Sequence, residues 1–177
     1  VGLWVTPMGW GLMYFFVPII LKKPIWSHAL SLVGFWGLAF FYPLQGVHHF
    51  LGSPIPMFAQ YSAVISTIAI EIVVTTVVIN FFMTWKGSEG SLKRSIPIRW
   101  FWLGALNYFI TCLQCAFQVT LTFQQVIHFT DWVVAHAHLV MFGVFSFWIF
   151  GMIEHLWPKL TGNEWWSPKL RSFSFWS

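Results

Sequence analysis

Residues 57–85 read MFAQYSAVISTIAIEIVVTTVVINFFMTW, a run of 29 residues in which Glu71 is the one charged side chain. About 20 consecutive apolar residues are enough for a helix to cross the hydrocarbon core of a bilayer. The stretch therefore predicts a transmembrane helix. The whole chain of 177 residues agrees, because only 8% of its residues are charged, whereas a soluble domain carries about 25%.

Four more apolar runs flank this stretch, and short breaks containing proline, glycine or charged residues separate them. The five predicted spans cover residues of about 1–21, 27–47, 57–85, 99–126 and 132–157. The predicted fold class is an all-α membrane protein, in which the whole chain 1–177 forms one transmembrane unit. Because Val1 lies inside an apolar run without an initiator methionine, we expect an internal fragment of a longer protein.

The charged residues indicate membrane topology rather than nucleic-acid binding, although the net charge is +4. All nine basic residues fall in segments on one side of the predicted spans. They are Lys22, Lys23, Lys86, Lys93, Arg94, Arg99, Lys159, Lys169 and Arg171. Loops rich in lysine and arginine stay on the cytoplasmic side of a membrane, so this side is predicted to be cytoplasmic.

The two cysteines lie inside the predicted fourth span. We interpret Cys112 and Cys115 as small buried residues rather than as a disulfide or a metal clip. Since Ala116 follows Cys115, the C-x-x-C-H motif that binds c-type haem covalently is absent from the sequence.

Five of the seven histidines are predicted to cluster toward the non-cytoplasmic side, on three different segments. They are His48, His49, His128, His136 and His138. Ionisable groups at membrane depth usually serve a function, and the neutral imidazole is the commonest metal ligand. The cluster therefore predicts a metal site, whereas His28 and His155 lie near the opposite ends of their spans.

The spacing of these histidines suggests two kinds of metal ligand. His136 and His138 are rotated by about 200° on a helix, so they would serve a different metal on each face, as axial ligands of two planar haems do. The alternative is that each imidazole is hydrogen-bonded to a separate neighbour. The adjacent His48 and His49 lie near the end of a span and can reach one metal if the helix end relaxes. Copper, iron and zinc all suit imidazole.

Several polar side chains lie within the apolar spans. Tyr14, Ser31 and Tyr42 would carry hydroxyl groups along the membrane normal, where they either relay protons or join helices by hydrogen bonds. Glu71, flanked by Thr67 and Thr75, is either a proton-handling group or a structural hydrogen-bond donor. The predicted fourth span carries a polar stripe facing the bundle interior or a hydrated cavity. Its members are Asn107, Thr111, Gln114, Gln118, Thr122 and Gln125.

Two of these segments, FFYPLQGVHHF at 40–50 and HFTDWVVAHAH at 128–138, resemble the catalytic subunit of the C-family haem-copper oxygen reductases, the cbb-type cytochrome c oxidases. The resemblance covers essentially the whole chain. It implies that the five spans correspond to the sixth to tenth helices of a bundle of roughly twelve transmembrane helices.

The resemblance also implies roles for individual residues. His48 and His49 would be two of three copper ligands, and His136 would be the axial ligand of the high-spin haem b. His138 would be one of two axial ligands of the low-spin haem b. Tyr42 would be the catalytic redox tyrosine, joined covalently to the third copper-ligating histidine. That histidine and the second low-spin haem ligand should precede Val1.

Further positions match family features outside the metal ligands. Tyr14 and Ser31 match positions on the proton-uptake path from the cytoplasm, and His128 and Asp131 would lie near the haem propionates. The implied enzyme reduces O2 to water in a bacterial inner membrane, in contact with membrane lipid. Cytochrome c is its electron donor, c-type cytochrome subunits are its partners, and its metal site lies toward the periplasm.

Two departures from the family pattern leave a second enzyme open. Gln114 replaces the glutamate that the family usually has in this span, and Glu71 is not typical of the oxygen reductases. A glutamate lies within one residue of Glu71 in the related nitric oxide reductases, which use non-haem iron instead of copper. Those enzymes lack the linked tyrosine, so Tyr42 favours oxygen reduction. A non-catalytic diheme electron carrier, a further alternative, gives no role to His48, His49 and Tyr42.

Overall fold

The computed structural model describes residues 2–177 and, within them, consists of helices joined by short turns. The α-helices are α1 Gly2–Leu21, α2 His28–Gln45, α3 Met57–Trp85, α4 Ser91–Arg94, α5 Ile96–Gln118, α6 Leu121–Ile127, α7 Asp131–Val140, α8 Phe147–Thr161 and α9 Pro168–Trp176. A 3₁₀ segment, Gly46–Phe50, extends α2, and a π-helical segment, Met141–Ser146, joins α7 to α8.

The five predicted spans are confirmed as helices that are long and apolar enough to cross a membrane. They run over Gly2–Leu21, His28–Phe50, Met57–Trp85, Ile96–Gln118 and Asp131–Thr161. The fold class is therefore the all-α membrane class that the sequence predicts. The last span is longer than predicted. The short helix α9 follows it and is not among the predicted helices.

The predicted fourth span is wrong at its end, because α5 stops at Gln118 and α6 begins as a separate helix. The Thr120 hydroxyl donates to the Phe117 carbonyl at 2.9 Å, and such a local bond competes with the helical ladder. The proposed polar stripe therefore does not continue past Gln118. Thr122 and Gln125 are exposed, and Gln124 is the buried amide of α6.

Close packing of α2 on α3 brings the 3₁₀ segment against the middle of the bundle. Gly34 and Gly37 of α2 face Val77 and Val73 of α3, and a methyl group on either glycine would collide with the opposing valine. Small residues at such positions let transmembrane helices approach closely. The contact sets the position along α3 at which the 3₁₀ segment after α2 packs.

The π-helical segment follows the two histidines of α7. The Asn107 side-chain amide of α5 donates to the Gly143 carbonyl at 2.9 Å, and the Ser146 hydroxyl donates to the Met141 carbonyl at 3.1 Å. Both bonds satisfy carbonyls in the stretch where the α-helical ladder changes. Short π segments inside helices are frequent at functional sites.

Candidate metal centre

His48 and His49 lie together in the 3₁₀ segment that ends the second span. Pro43 removes one backbone donor from the last turns of α2, and the chain tightens into the 3₁₀ segment three residues later. The His48 and His49 Nε2 atoms are 3.2 Å apart. Two nitrogens bound at about 2.0–2.1 Å to one tetrahedral metal lie about 3.3 Å apart, so the pair has the geometry of a shared metal.

The other ring nitrogen of His48 is held by Thr67 of α3, at 3.0 Å between Nδ1 and Oγ1. The Thr67 hydroxyl donates its single proton to the Ala63 carbonyl at 2.7 Å. It therefore accepts from the Nδ1–H of His48. In this tautomer the lone pair is on Nε2, the atom that faces His49.

His136 and His138 show the same pattern on α7. The Gln114 Oε1 atom accepts from the His136 Nδ1–H at 2.9 Å, and the Val134 carbonyl accepts from the His138 Nδ1–H at 2.8 Å. Metal-binding histidines commonly donate one ring N–H to an oxygen in this way, which fixes the ring and leaves the other nitrogen for the metal. In both imidazoles Nε2 is therefore the unprotonated ring nitrogen.

The two histidines of α7 lie on different sides of the helix, as their spacing predicts. His136 is half-buried against α5, with its Nε2 3.4 Å from the Cys115 Sγ. His138 is exposed on the outer surface of the bundle. A metal bound by one of these residues would therefore lie on the opposite side of α7 from a metal bound by the other.

Two adjoining cavities open around the inner histidines. His48, His49 and His136 line both of them, and their volumes are about 380 and 240 Å³. His128 and Asp131 line the larger cavity, and Tyr42 and Glu71 line the smaller one. Residues of α2, α3, α7 and the 3₁₀ segment thus line two cavities that share His48, His49 and His136.

The donor set fits the metals that the family resemblance implies. Imidazole nitrogen suits both copper and haem iron, and three inner histidines line the cavities. Within residues 2–177, however, no group of three or more histidine, cysteine, aspartate or glutamate side chains is arranged around one point. His48 and His49 are therefore a pair, with no third side chain of these types arranged with them in the described part of the chain.

The predicted proton-path residues are only partly connected. The Tyr14 hydroxyl accepts from the buried Asn80 amide at 3.3 Å, and the same amide donates to the Ser27 carbonyl at 2.7 Å. Ser31 instead donates to the His28 carbonyl of its own helix at 2.6 Å. The structure therefore joins Tyr14 to Asn80, whereas it gives Ser31 no direct bond to Tyr14 or Tyr42 among the described residues.

Tyr42 and His128 each have a defined neighbour. Gly2 of α1 lies against the Tyr42 hydroxyl, and a methyl group on Gly2 would collide with it. His128, which ends α6, is bonded through Nδ1 to the Gln124 Oε1 at 3.1 Å. Both residues keep their rings at the cavity walls, Tyr42 between α1 and α5 and His128 beside the start of α7.

Sequence reasoning missed the contacts of three polar residues. Thr67 and Asn80 are fully buried in α3, and the signal that could have singled them out is a polar side chain within an apolar run. Gln114 was singled out as a member of the polar stripe and as a departure from a family pattern, and its bond to His136 depends on how α5 packs against α7. All three lie too far along the chain from their partners for spacing to reveal the pairing.

Comparison with known proteins identifies a family for the whole chain. The family model described as Cytochrome C and Quinol oxidase polypeptide I matches residues 1–177. Cytochrome c oxidase subunit 1 of Rhodobacter capsulatus is 30% identical over 99% of this chain. The Cbb3-type cytochrome c oxidase subunit CcoN1 of Stutzerimonas stutzeri is 29% identical over 93% of it. The chain spans 33% and 35% of the length of these two relatives, or about a third.

Proposed function

We propose, from the premise that this chain belongs to the cytochrome c and quinol oxidase polypeptide I family, that it carries part of a haem-copper centre that reduces O2 to water. The observation that carries the proposal is the convergence of the His48 and His49 Nε2 atoms, 3.2 Å apart, at a cavity that His136 also lines. This arrangement would hold a metal beside a haem in one connected space.

Each histidine has a distinct role in this proposal. His48 and His49 would supply two of the three histidines that hold copper. His136 would hold a high-spin haem b on the inner side of α7, and His138 would hold a low-spin haem b on the outer side. When bound, these groups supply the electron-transfer and oxygen chemistry.

The protein supplies position and protons. The two ligands of α7 are two residues apart, so this helix holds the two haem positions at a short, fixed separation. The Tyr42 hydroxyl lies at the wall of the smaller cavity, where it would be placed to give a proton and an electron to the reaction that the bound metals carry out. Tyr14 and its partner Asn80 hold a hydroxyl and an amide near the basic side of the membrane, where protons enter.

The assembly in which this would operate is a bacterial respiratory complex. We propose that cytochrome c delivers electrons through c-type cytochrome subunits. The basic segments would face the cytoplasm and the metal centre the periplasm, so that proton uptake for the reaction charges the membrane. The names of the relatives, which are cytochrome c oxidase subunits of bacteria, support this setting.

Nitric oxide reduction is the second candidate, because Glu71 lines the same cavity as His48, His49 and His136. A carboxylate beside two imidazoles is a donor set that suits non-haem iron. Tyr42 lines that cavity as well and favours oxygen reduction. A non-catalytic diheme carrier would leave both the histidine pair and Tyr42 without a role.

The test is the reaction of the full-length enzyme with each gas. Purified enzyme supplied with reduced cytochrome c is expected to consume O2 and to turn over NO much more slowly. His49→Ala should abolish O2 consumption. His155→Ala should leave it unchanged, since His155 pairs with Lys159 away from the cavities. Faster turnover of NO than of O2 would contradict the proposal.

A further inference from the structure

We propose that Thr67 is a positioning residue of the copper site, which presets the tautomer and direction of His48. The inference rests on the proposed function, because it concerns how the copper ligands are held. It adds a residue outside the ligand set, on α3, whose hydroxyl contacts His48 and not the metal.

The hydrogen bonds of Thr67 favour one tautomer of His48. The side chain is fully buried, with 0% exposure. Its one proton goes to the Ala63 carbonyl at 2.7 Å, so the oxygen accepts from His48 at 3.0 Å. With the Thr67 proton donated to its own helix, this arrangement favours the His48 proton on Nδ1.

The bond to Thr67 would leave Nε2 of His48 ready to bind a metal. With the proton on Nδ1, His48 keeps an unprotonated Nε2 that points toward the His49 Nε2 at 3.2 Å. Without an acceptor at Nδ1, the ring would be free to adopt the other tautomer or to rotate. Either change places an N–H or a carbon where the metal needs a lone pair.

Thr67 can act in this way because the histidine-bearing segment is docked on α3 at neighbouring points. The Gln60 side chain accepts from the Gly52 backbone N–H at 3.1 Å and donates to the Ile55 carbonyl at 3.2 Å. Leu51 is fully buried and packs with Ala63. The segment therefore rests on the same face of α3 that carries Thr67.

Thr75 provides a matched control on the same helix. Its hydroxyl donates to the Glu71 carbonyl at 2.7 Å, which is the same bond to the preceding turn that Thr67 makes to Ala63. Thr75 is exposed, and its hydroxyl makes no bond to a histidine among the described residues. Removing that hydroxyl therefore reports the effect of losing the helical bond alone.

The experiment measures how tightly the full-length holoenzyme keeps copper. Wild type, Thr67→Val, Thr67→Ala, Thr67→Ser and Thr75→Val are titrated with a copper chelator, and the copper and haem retained per protein are determined. Loss of an outer-shell partner typically weakens metal affinity by about 10- to 100-fold. We expect that loss in Thr67→Val and Thr67→Ala, with haem retained, and affinity close to wild type in Thr67→Ser and Thr75→Val.

The outcomes separate this inference from the proposed function. If the wild-type enzyme contains copper and Thr67→Val and Thr67→Ala retain it equally well, the role of Thr67 is overturned. The proposed copper site would not be affected by that result. An equal loss in Thr75→Val or Thr67→Ser would also overturn it, since the loss would then not follow the acceptor oxygen. A wild-type enzyme without copper would overturn the proposed function itself.

Discussion

At the scale of single residues, the inner and outer histidines each donate a hydrogen bond from Nδ1–H, and they differ in the group that accepts it. The Nδ1–H of His48 meets a hydroxyl, that of His136 a side-chain amide and that of His138 a backbone carbonyl. All three acceptors are neutral, so each orients its ring without the strong increase in ligand basicity that a carboxylate would cause. Gln114 therefore orients His136 in a way that a glutamate at that position would not reproduce electrostatically.

The positions of His136 and His138 on different sides of α7 predict that two haems can be lost separately. His136→Ala and His138→Ala in the full-length enzyme should each lower the content of b-type haem by about half, because each residue would hold one haem. His136→Ala should remove the high-spin signal from the optical spectrum, and His138→Ala the low-spin signal. Loss of the same signal in both variants would contradict this assignment.

The sequence predicts that His136 and His138 lie on different sides of α7, whereas it does not predict the hydrogen-bond partners of the histidines. The two-residue spacing in AHAH is enough to place His136 and His138 on different sides, because helical rotation is fixed. The bond of His48 to Thr67 joins residues 19 positions apart across a turn whose path follows from packing. Local sequence contains no rule that would align that turn with one threonine of α3.

At the scale of elements, the α2–α3 contact sets the site because the 3₁₀ segment continues directly from α2. Gly37 meets Val73 and Gly34 meets Val77 without room for a methyl group. A wider spacing between these helices would move His48 away from Thr67. The close packing at the two glycines thus helps to set the position of His48 relative to Thr67.

Gly37→Ala tests this connection. The added methyl group collides with the branched Val73 side chain, and inserting atoms into a packed interface typically costs about 1–3 kcal/mol. We expect a lower midpoint of thermal unfolding and weaker copper retention. The double variant Gly37→Ala with Val73→Ala should recover both properties. Gly11→Ala is the control, because a Cβ at Gly11 would have open space around it. An equal loss of stability and copper retention in Gly11→Ala would contradict this role of the α2–α3 contact.

Element boundaries show where sequence reasoning fails. Span three begins and ends at residues 57 and 85 because apolar residues fill it and because Pro56 and Lys86 flank it. The end of α5 differs from the predicted span because the residues between α5 and α6 include neither proline nor glycine, and the Thr120 side chain marks the break. The π segment accepts a bond from Asn107 of another helix, and that pairing follows from packing rather than from a local pattern.

At the scale of the whole molecule, the basic residues and the histidine cluster lie at opposite ends of the helices. The basic residues lie between α1 and α2, from the end of α3 to the start of α5, and from the last turn of α8 to α9, whereas His48, His49 and His128 lie in or next to the connections at the other end. Lysine-rich segments stay in the cytoplasm. The site would therefore take its protons from across most of the membrane thickness.

Labelling of single introduced cysteines tests this orientation. In cells that express the full-length protein, Pro54→Cys should react with a membrane-impermeant maleimide added to the periplasmic side. Glu164→Cys should react only after the inner membrane is opened. Both positions are exposed, and the native Cys112 and Cys115 lie half-buried in α5. The reverse labelling pattern would place the metal centre on the cytoplasmic side.

The central claim, that this chain carries a haem-copper centre, is tested most directly by metal analysis of the purified full-length enzyme. Copper, total iron and b-type haem are measured on the same sample. The account predicts about one copper for every two b-type haems of this subunit, with no iron beyond that of the haems. Non-haem iron in place of copper would contradict it and would move the function to nitric oxide reduction, with Glu71 as the first residue to replace.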